Sequence, residues 1–222
     1  MNKKLVLYGI FVGFLFAGNT ASAHQPRLVW DFINSHDSPI VISNPDISQA
    51  FYGILKNQPE YYKVKLDKAS ILYLSLLVPD NINAGVDISA RVFKLNSPDS
   101  DIKTFLNGKR STWESYYEEF AGDFYLQGPE NSTYLKEGEY LIEITSEKNE
   151  GKYVLVVGQK ESFPLDEAMR MIINLPRLKI DFFEEPVFML AGGIIGKLMA
   201  SLLLFLLLLA LMSLRKRRER KG

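Results

Sequence analysis

The chain contains no cysteine. Disulfides, thiolate metal sites and cysteine nucleophiles are therefore excluded, and the fold must rest on core packing alone. Histidine is nearly absent as well, with His24 and His36 the only two, which leaves little for zinc hydrolase chemistry to build with. There is no Gly-x-Ser-x-Gly elbow, and a Ser-His-Asp triad would have to be built on one of those two histidines. No motif asks for a cofactor. The middle of the chain also lacks grouped positive charge. Residues 24–187 hold 17 basic against 25 acidic side chains, a net charge of −8, which argues against nucleic acid as a partner because phosphate binding needs clustered Lys and Arg. The zero net charge of the whole chain conceals this split, since six basic residues lie beyond Leu214.

Long hydrophobic runs are confined to the two ends. Residues 1–23 have the form of a secretory signal peptide: Met1-Asn2-Lys3-Lys4 is a short positive head, Leu5 to Gly18 an apolar run, and Ala21-Ser22-Ala23 a small-x-small cleavage site. Cleavage there places His24 at the mature N-terminus; the alternative is an uncleaved signal anchor. At the other end, Val187 to Leu214 contains a single ionisable residue, Lys197. As one helix this segment would measure about 42 Å, longer than the hydrocarbon core of a bilayer at about 30 Å. The expectation is a transmembrane helix over 187–214, with Lys197 snorkelling at the outer interface. Arg215 to Arg218, Arg220 and Lys221 then stop transfer, and 215–222 forms a basic cytoplasmic tail. The topology so read is that of a single-pass protein of the cell membrane, inner or plasma, with its N-terminal domain in the periplasm or at the cell exterior. Gly192, Gly196 and Ala200 recur every four residues beside Lys197. They are candidates for docking on a membrane-protein partner or a second copy of the chain, against the alternative that small residues are simply common in membrane helices.

Between the ends the sequence changes period. Tyr61 to Leu66, Ser70 to Val78, Val86 to Leu95, Glu139 to Thr145 and Lys152 to Val157 alternate or run apolar with many β-branched and aromatic residues, and Gly, Pro, Asn and Asp fill the gaps between them. These features predict an all-β domain over 24–162, an antiparallel β-sandwich of jelly-roll-like form. Asp46 to Leu55 fits either a strand or a helical turn. After Pro164, the stretch Leu165 to Leu175 has good helix formers and opens with acids. It predicts a juxtamembrane helix within a stalk over 163–186. Met169, Ile172, Ile173 and Leu175 would form an apolar face lying either on the outer leaflet of the lipid bilayer or on the β domain.

The run from Leu135 to Ile144, with Gly138 and Tyr140, followed by Gly151-Lys152-Tyr153-Val154-Leu155-Val156-Val157, resembles the closing hairpin of bacterial sandwich domains of the pre-peptidase C-terminal type. Tyr62 to Leu66 and Ile71 to Leu76 match the opening pair. The resemblance covers Tyr61 to Gly158 and breaks at Asn96 to Glu130, which reads as an insertion. The order of leader, β domain, single span and basic tail is also similar to that of the GOLD-domain cargo receptors. What either resemblance implies is ligand or partner binding and not catalysis.

The segment Trp113 to Glu130 is the most unusual in composition, with six aromatics and five acids in eighteen residues. Trp113, Glu114, Tyr117, Glu118 and Asp123 are candidate ligand-binding residues, for carbohydrate or a cation, because rings stack on apolar faces while carboxylates accept hydrogen bonds. The competing account puts Trp113, Tyr117 and Phe120 at i, i+4 and i+7 of a short helix, as a lid over the sandwich. Glu114, Glu118 and Asp123 are also the available general acids and bases for a glycan-active enzyme. An N-terminal His24 paired with His36 is a candidate copper site, although twelve residues is a short separation for a histidine brace. The turn Asp80 to Asp87 fails the spacing of a calcium loop, because Ile82 stands at its third position. The function expected from the whole is a membrane-anchored extracytoplasmic binding or adaptor protein without enzymatic activity. The alternatives are an accessory subunit of a membrane complex and a glycan-active enzyme.

Overall fold

The computed structural model describes residues 24–32, 34–81, 85–95, 101–162 and 164–219. Residues 1–23, expected to form a signal peptide, Ile82 to Ala84 of the turn Asp80 to Asp87, and Arg220 to Gly222 of the expected basic tail lie outside the described residues. Two units emerge among the described residues, one of 24–117 with 124–186 and the other of 118–123 with 187–219.

The first unit is a β-sandwich. Its strands are β1 (Gln25–Leu28), β2 (Ile40–Ile42), β3 (Gln49–Lys56), β4 (Glu60–Leu66), β5 (Ser70–Pro79), β6 (Ser89–Lys94), β7 (Ile102–Leu106), β8 (Glu114–Glu118), β9 (Asp123–Leu135), β10 (Gly138–Thr145) and β11 (Glu150–Val157). They form a six-stranded sheet ordered β1-β3-β11-β5-β9-β8 and a five-stranded sheet ordered β2-β4-β10-β6-β7. Pairing is antiparallel in the body of both sheets, while the edge pairs β1 with β3 and β2 with β4 are parallel. The expected antiparallel sandwich is thus present, with two parallel edges that period-two patterning does not predict.

Alternation explains the core. On β4, Tyr62, Val64 and Leu66 point inward and Tyr61, Lys63 and Lys65 outward; β10 does the same with Tyr140, Ile142 and Ile144. Facing them, β5 contributes Leu72, Leu74, Leu76 and Val78, and β11 contributes Tyr153, Leu155 and Val157. The six-stranded sheet is covered on its second face too, so β3 buries Ala50 and Tyr52 as well as Phe51 and Leu55. Double burial produces a continuous apolar run without a period, which is why Asp46 to Leu55 reads ambiguously.

The helical reading of Trp113, Tyr117 and Phe120 is overturned, because β8 is a strand paired with β9. Trp113 precedes it and packs on the sandwich core. Its indole donates to the carbonyl of Gly108 at 2.9 Å, and Gly128 lies against its ring so closely that a Cβ there would overlap it. The supposed insertion is therefore integral to both sheets, supplying β7, β8 and β9.

Part of the second face is covered by α1 (Leu165–Arg177) and the π-helical turn Leu178–Phe182 that continues it. Pro164 precedes the helix, and Asp166 and Glu167 sit in its first turn, where the helix dipole favours negative charge. Pro176 sits one residue before the helix end, has no amide hydrogen to give, and the winding changes just beyond it. Met171, Leu175, Leu178 and Phe182 are buried, each worth about 1.5–3 kcal/mol of apolar transfer.

In the second unit, α2 (Ile194–Glu219) is a helix of 26 residues, about 39 Å long. Its window Ile194–Leu211 is long and apolar enough to cross a membrane and is not buried against the protein. It begins seven residues later than the expected span, since Val187–Gly192 is a 3-10 turn. The amides of Ile194 and Ile195, without partners in the first turn, donate to the carbonyls of Glu119 and Phe120 at 2.9 and 3.2 Å. A Cβ on Gly193 would collide with that same Phe120 to Gly122 backbone.

Candidate functional site

A groove of about 1180 Å³ opens in the sandwich unit, lined by β1, β2, the loop between β2 and β3, the turn between β4 and β5, and one flank of α1. Its walls are built by specific bonds. Along β1, the Arg27 guanidinium donates to both carboxylate oxygens of Glu167 on α1, at 2.7 and 3.1 Å, and to Gln25 Oε1 at 2.6 Å. Such a two-pronged fork fixes orientation as well as distance, so it sets the helix against the strand. Gln25 in turn donates to the Ser162 carbonyl at 2.6 Å. At the far end, Arg177 donates to Asp31 at 2.6 Å and lies over the Trp30 ring. The opposite wall is held by the buried Gln49, whose amide donates to the carbonyls of Ser43 and Asn44. Asn44 adopts a left-handed conformation there, which Asn tolerates better than most residues.

Two properties distinguish the groove. One is an open sheet edge. Among the described residues β2 pairs only with β4, leaving its other edge unpaired; Ile40 and Val41 line the groove, and Val41 is 68 % exposed. An unpaired strand edge offers a ladder of amide and carbonyl groups to an incoming chain. The other is charge. Arg27, Lys65, Lys68, Lys160, Arg170 and Arg177 line it against Asp31, Asp46, Asp67 and Glu167, so this is a locally positive strip on a domain whose sequence is strongly negative.

An aromatic cluster locks α1 and its π-turn to the sheet. Phe182 stacks on Trp30 at 5.6 Å and meets Tyr52 and Phe183 edge-on at 5.1 and 5.4 Å, and Phe183 meets Tyr125 at 5.4 Å. The Tyr52 and Tyr125 hydroxyls bond each other at 3.1 Å. Lys179, fully buried, pairs with Glu185 at 3.1 Å and lies over the Phe183 ring. The segment expected as a stalk is, up to Phe183, a docked part of the sandwich unit.

The residues singled out in the sequence are dispersed. Trp113 is partly buried against the core, and Glu114 and Tyr117 are exposed on β8, Tyr117 tilted against Phe124 at 4.7 Å. Glu118 is occupied in its own turn, accepting from the amides of Phe120 and Ala121 at 2.8 Å each, and Asp123 is buried. His24 bonds Ser48 at 2.5 Å, and burial lowers its pKa against the opposing pull of Glu161. His36 sits beside Asp37 and edge-on to the Tyr61 ring. Among the described residues no three His, Asp or Glu side chains group as a metal site. Gly192 lies in the 3-10 turn, whereas Gly196, Lys197 and Ala200 lie on α2. The groove residues escaped sequence reading because they come from five separated segments; the one local signal was the pairing of acids and arginines along α1.

No protein-family model matches the chain, and no curated protein matches it. Solved structures match it at low similarity. The pre-peptidase C-terminal domain of a collagenase from Bacillus anthracis is 10 % identical, covers 56 % of this chain and 98 % of its own, and superposes with a TM-score of 0.37. The surface-associated copper-binding protein CorA of Methylomicrobium album BG8 is 8 % identical over 55 % of this chain and 98 % of its own, with a TM-score of 0.31. A β-glucosidase from Paenibacillus barengoltzii is 16 % identical over 64 % of this chain and 14 % of its own, at 0.26. The first is the domain type that the hairpin motif around Gly138 and Gly151 resembles.

Proposed function

We propose that the chain is a membrane-anchored binding or adaptor protein without catalytic activity, whose sandwich unit captures an extended segment of a protein partner in the groove beside β2. The observation that carries this reading is the open edge of β2 inside a built groove. A partner strand gains backbone hydrogen bonds along Ile40–Ile42, and the side chains of Phe32 and Val41 offer apolar contacts for alternate residues of that strand. The excess of Arg and Lys around the groove favours an acidic segment. The apolar helix α2 supports a membrane anchor, and the leader-like residues 1–23 with the basic residues after Leu214 support a sandwich outside the cytoplasm.

Photo-cross-linking tests this in the native membrane. A photoreactive phenylalanine replaces Val41 in one full-length variant and Ile71, exposed on β5, in another. The proposal expects one discrete adduct from position 41 and none from position 71. Equal labelling at both positions, or none at 41, would remove the groove as the binding site.

A further inference from the structure

Helix α1 has three faces, and only two of them are used. The buried stripe of Met171, Leu175, Leu178 and Phe182 packs on the sheet. A polar flank of Glu167, Arg170, Asn174 and Arg177 lines the groove. The third stripe is Leu165, Met169, Ile172 and Ile173, extended by Ile180 in the π-turn, and all five are more than half exposed, Leu165 at 80 % and Ile173 at 68 %. At 100° per residue, Leu165, Met169, Ile172 and Ile173 fall within about 100° of arc, well away from the buried stripe. Four or five large aliphatic side chains on one arc form the kind of contiguous patch that soluble surfaces avoid unless something covers it.

We propose that this stripe lies on the surface of the lipid bilayer that α2 enters. The inference rests on the reading of α2 as a membrane span. Eleven residues, Phe183 to Gly193, separate the π-turn from α2, a tether that reaches at most about 40 Å at 3.3–3.6 Å per residue. No other regular element of the sandwich is nearer in sequence to the span than α1 and its π-turn. Exposed apolar residues also continue along this tether at Val187, Phe188 and Met189. A membrane-surface helix buries its apolar face about 5–10 Å into the headgroup boundary, and the stripe has the width for that. Its polar flank supplies no net charge, because Glu167 is bonded to Arg27 and Arg177 to Asp31, while Asp166 offsets Arg170. Contact is thus driven by apolar burial and does not require anionic lipid.

The absence of cysteine makes the test clean. Single variants Ile173→Cys, Lys148→Cys and Leu207→Cys of the full chain carry an environment-sensitive fluorophore in phosphatidylcholine nanodiscs containing spin-labelled lipid. Lys148 is exposed in the turn between β10 and β11, and Leu207 is exposed on α2. The expected result is quenching at 207 and, at least threefold above the level at 148, quenching at 173, unchanged when phosphatidylglycerol is included. Quenching at 207 with 173 no different from 148 would overturn the proposal while leaving the anchor intact. Shielding of 173 from both the spin-labelled lipid and aqueous iodide would assign the stripe to a second copy of the chain and overturn it as well. If 207 were not quenched, the membrane span and the proposal would fall together.

Discussion

Gly53 lies against the hydroxyl end of the Tyr153 ring, its cross-strand neighbour on β11, so that a Cβ at position 53 would overlap the ring carbon Cζ and the hydroxyl oxygen. Tyr153 is fully buried and cannot move aside without disturbing the inner faces of both sheets. Gly53→Ala therefore overpacks the core and should cost about 1–3 kcal/mol, read as a lower denaturant midpoint with an unchanged slope. Shortening the ring in the same chain, as Gly53→Ala with Tyr153→Phe, leaves the clash with the ring carbons in place and should not restore the loss.

The Tyr153 hydroxyl continues into a buried polar chain. It donates to the Glu60 carboxylate and bonds the Tyr62 hydroxyl at 2.7 Å. Burial raises the pKa of Glu60, with the hydrogen bond from Tyr153, the nearby Asn34 amide and the charge of Lys56 opposing it. A carboxyl whose pKa is higher in the folded state holds its proton more tightly there. Its contribution to stability is complete below the ordinary carboxylate range and is lost as pH rises through the folded value. The difference in unfolding free energy between the native chain and Glu60→Gln should therefore fall with rising pH above about 4.5 and then level off. A difference that instead grew with pH would mean that the ionised carboxylate is the favoured form.

Phe182 is the centre of the ring cluster that fixes the π-turn. Phe182→Ala should cost about 3–5 kcal/mol if the turn remains docked. Release of the turn would expose Lys179, which is fully buried in the native fold. Limited trypsin digestion should cut the variant at Lys179 while sparing it in the native chain. Cleavage at equal rates in both would show that the segment is already loose.

The Arg27–Glu167 fork ties α1 to β1 in the wall of the groove. Glu167→Gln keeps the shape but loses the charge-assisted bonds, at about 1.5–3 kcal/mol. Hydrogen exchange along Leu165–Arg177 should accelerate in that variant, with β10 and β11 unaffected.

The sequence is most readable where burial is one-sided. β4 alternates cleanly, whereas β5, β10 and β11 are legible as apolar, β-branched runs between turns that carry Gly and Asn, with Asn149 in the left-handed region as its turn requires. β3 is buried on both faces and loses its period, and β2 is three residues long, too short for any period to register. At Trp113, Tyr117 and Phe120, aromatic spacing fits a helical face, yet strand pairing with β9 wins over that local pattern. The start of α1 is legible from Pro164, Asp166 and Glu167, but the division of its aliphatics is not. Leu175 packs inward and Ile172 and Ile173 outward, a difference of direction that residue type does not encode. The groove is the least legible feature, since it exists only once β1, β2 and α1 have been brought together.

The central claim is that a partner binds in the groove, and comparative purification tests it most directly. The full chain, a Val41→Arg/Lys68→Glu variant and a Gly192→Leu/Gly196→Leu variant would be extracted from the native membrane in mild detergent and their stoichiometric companions identified by mass spectrometry. The account predicts a companion with the native chain that is lost from the groove variant and retained by the glycine variant. Retention by the groove variant with loss from the glycine variant would contradict it and assign the contact to the helix α2.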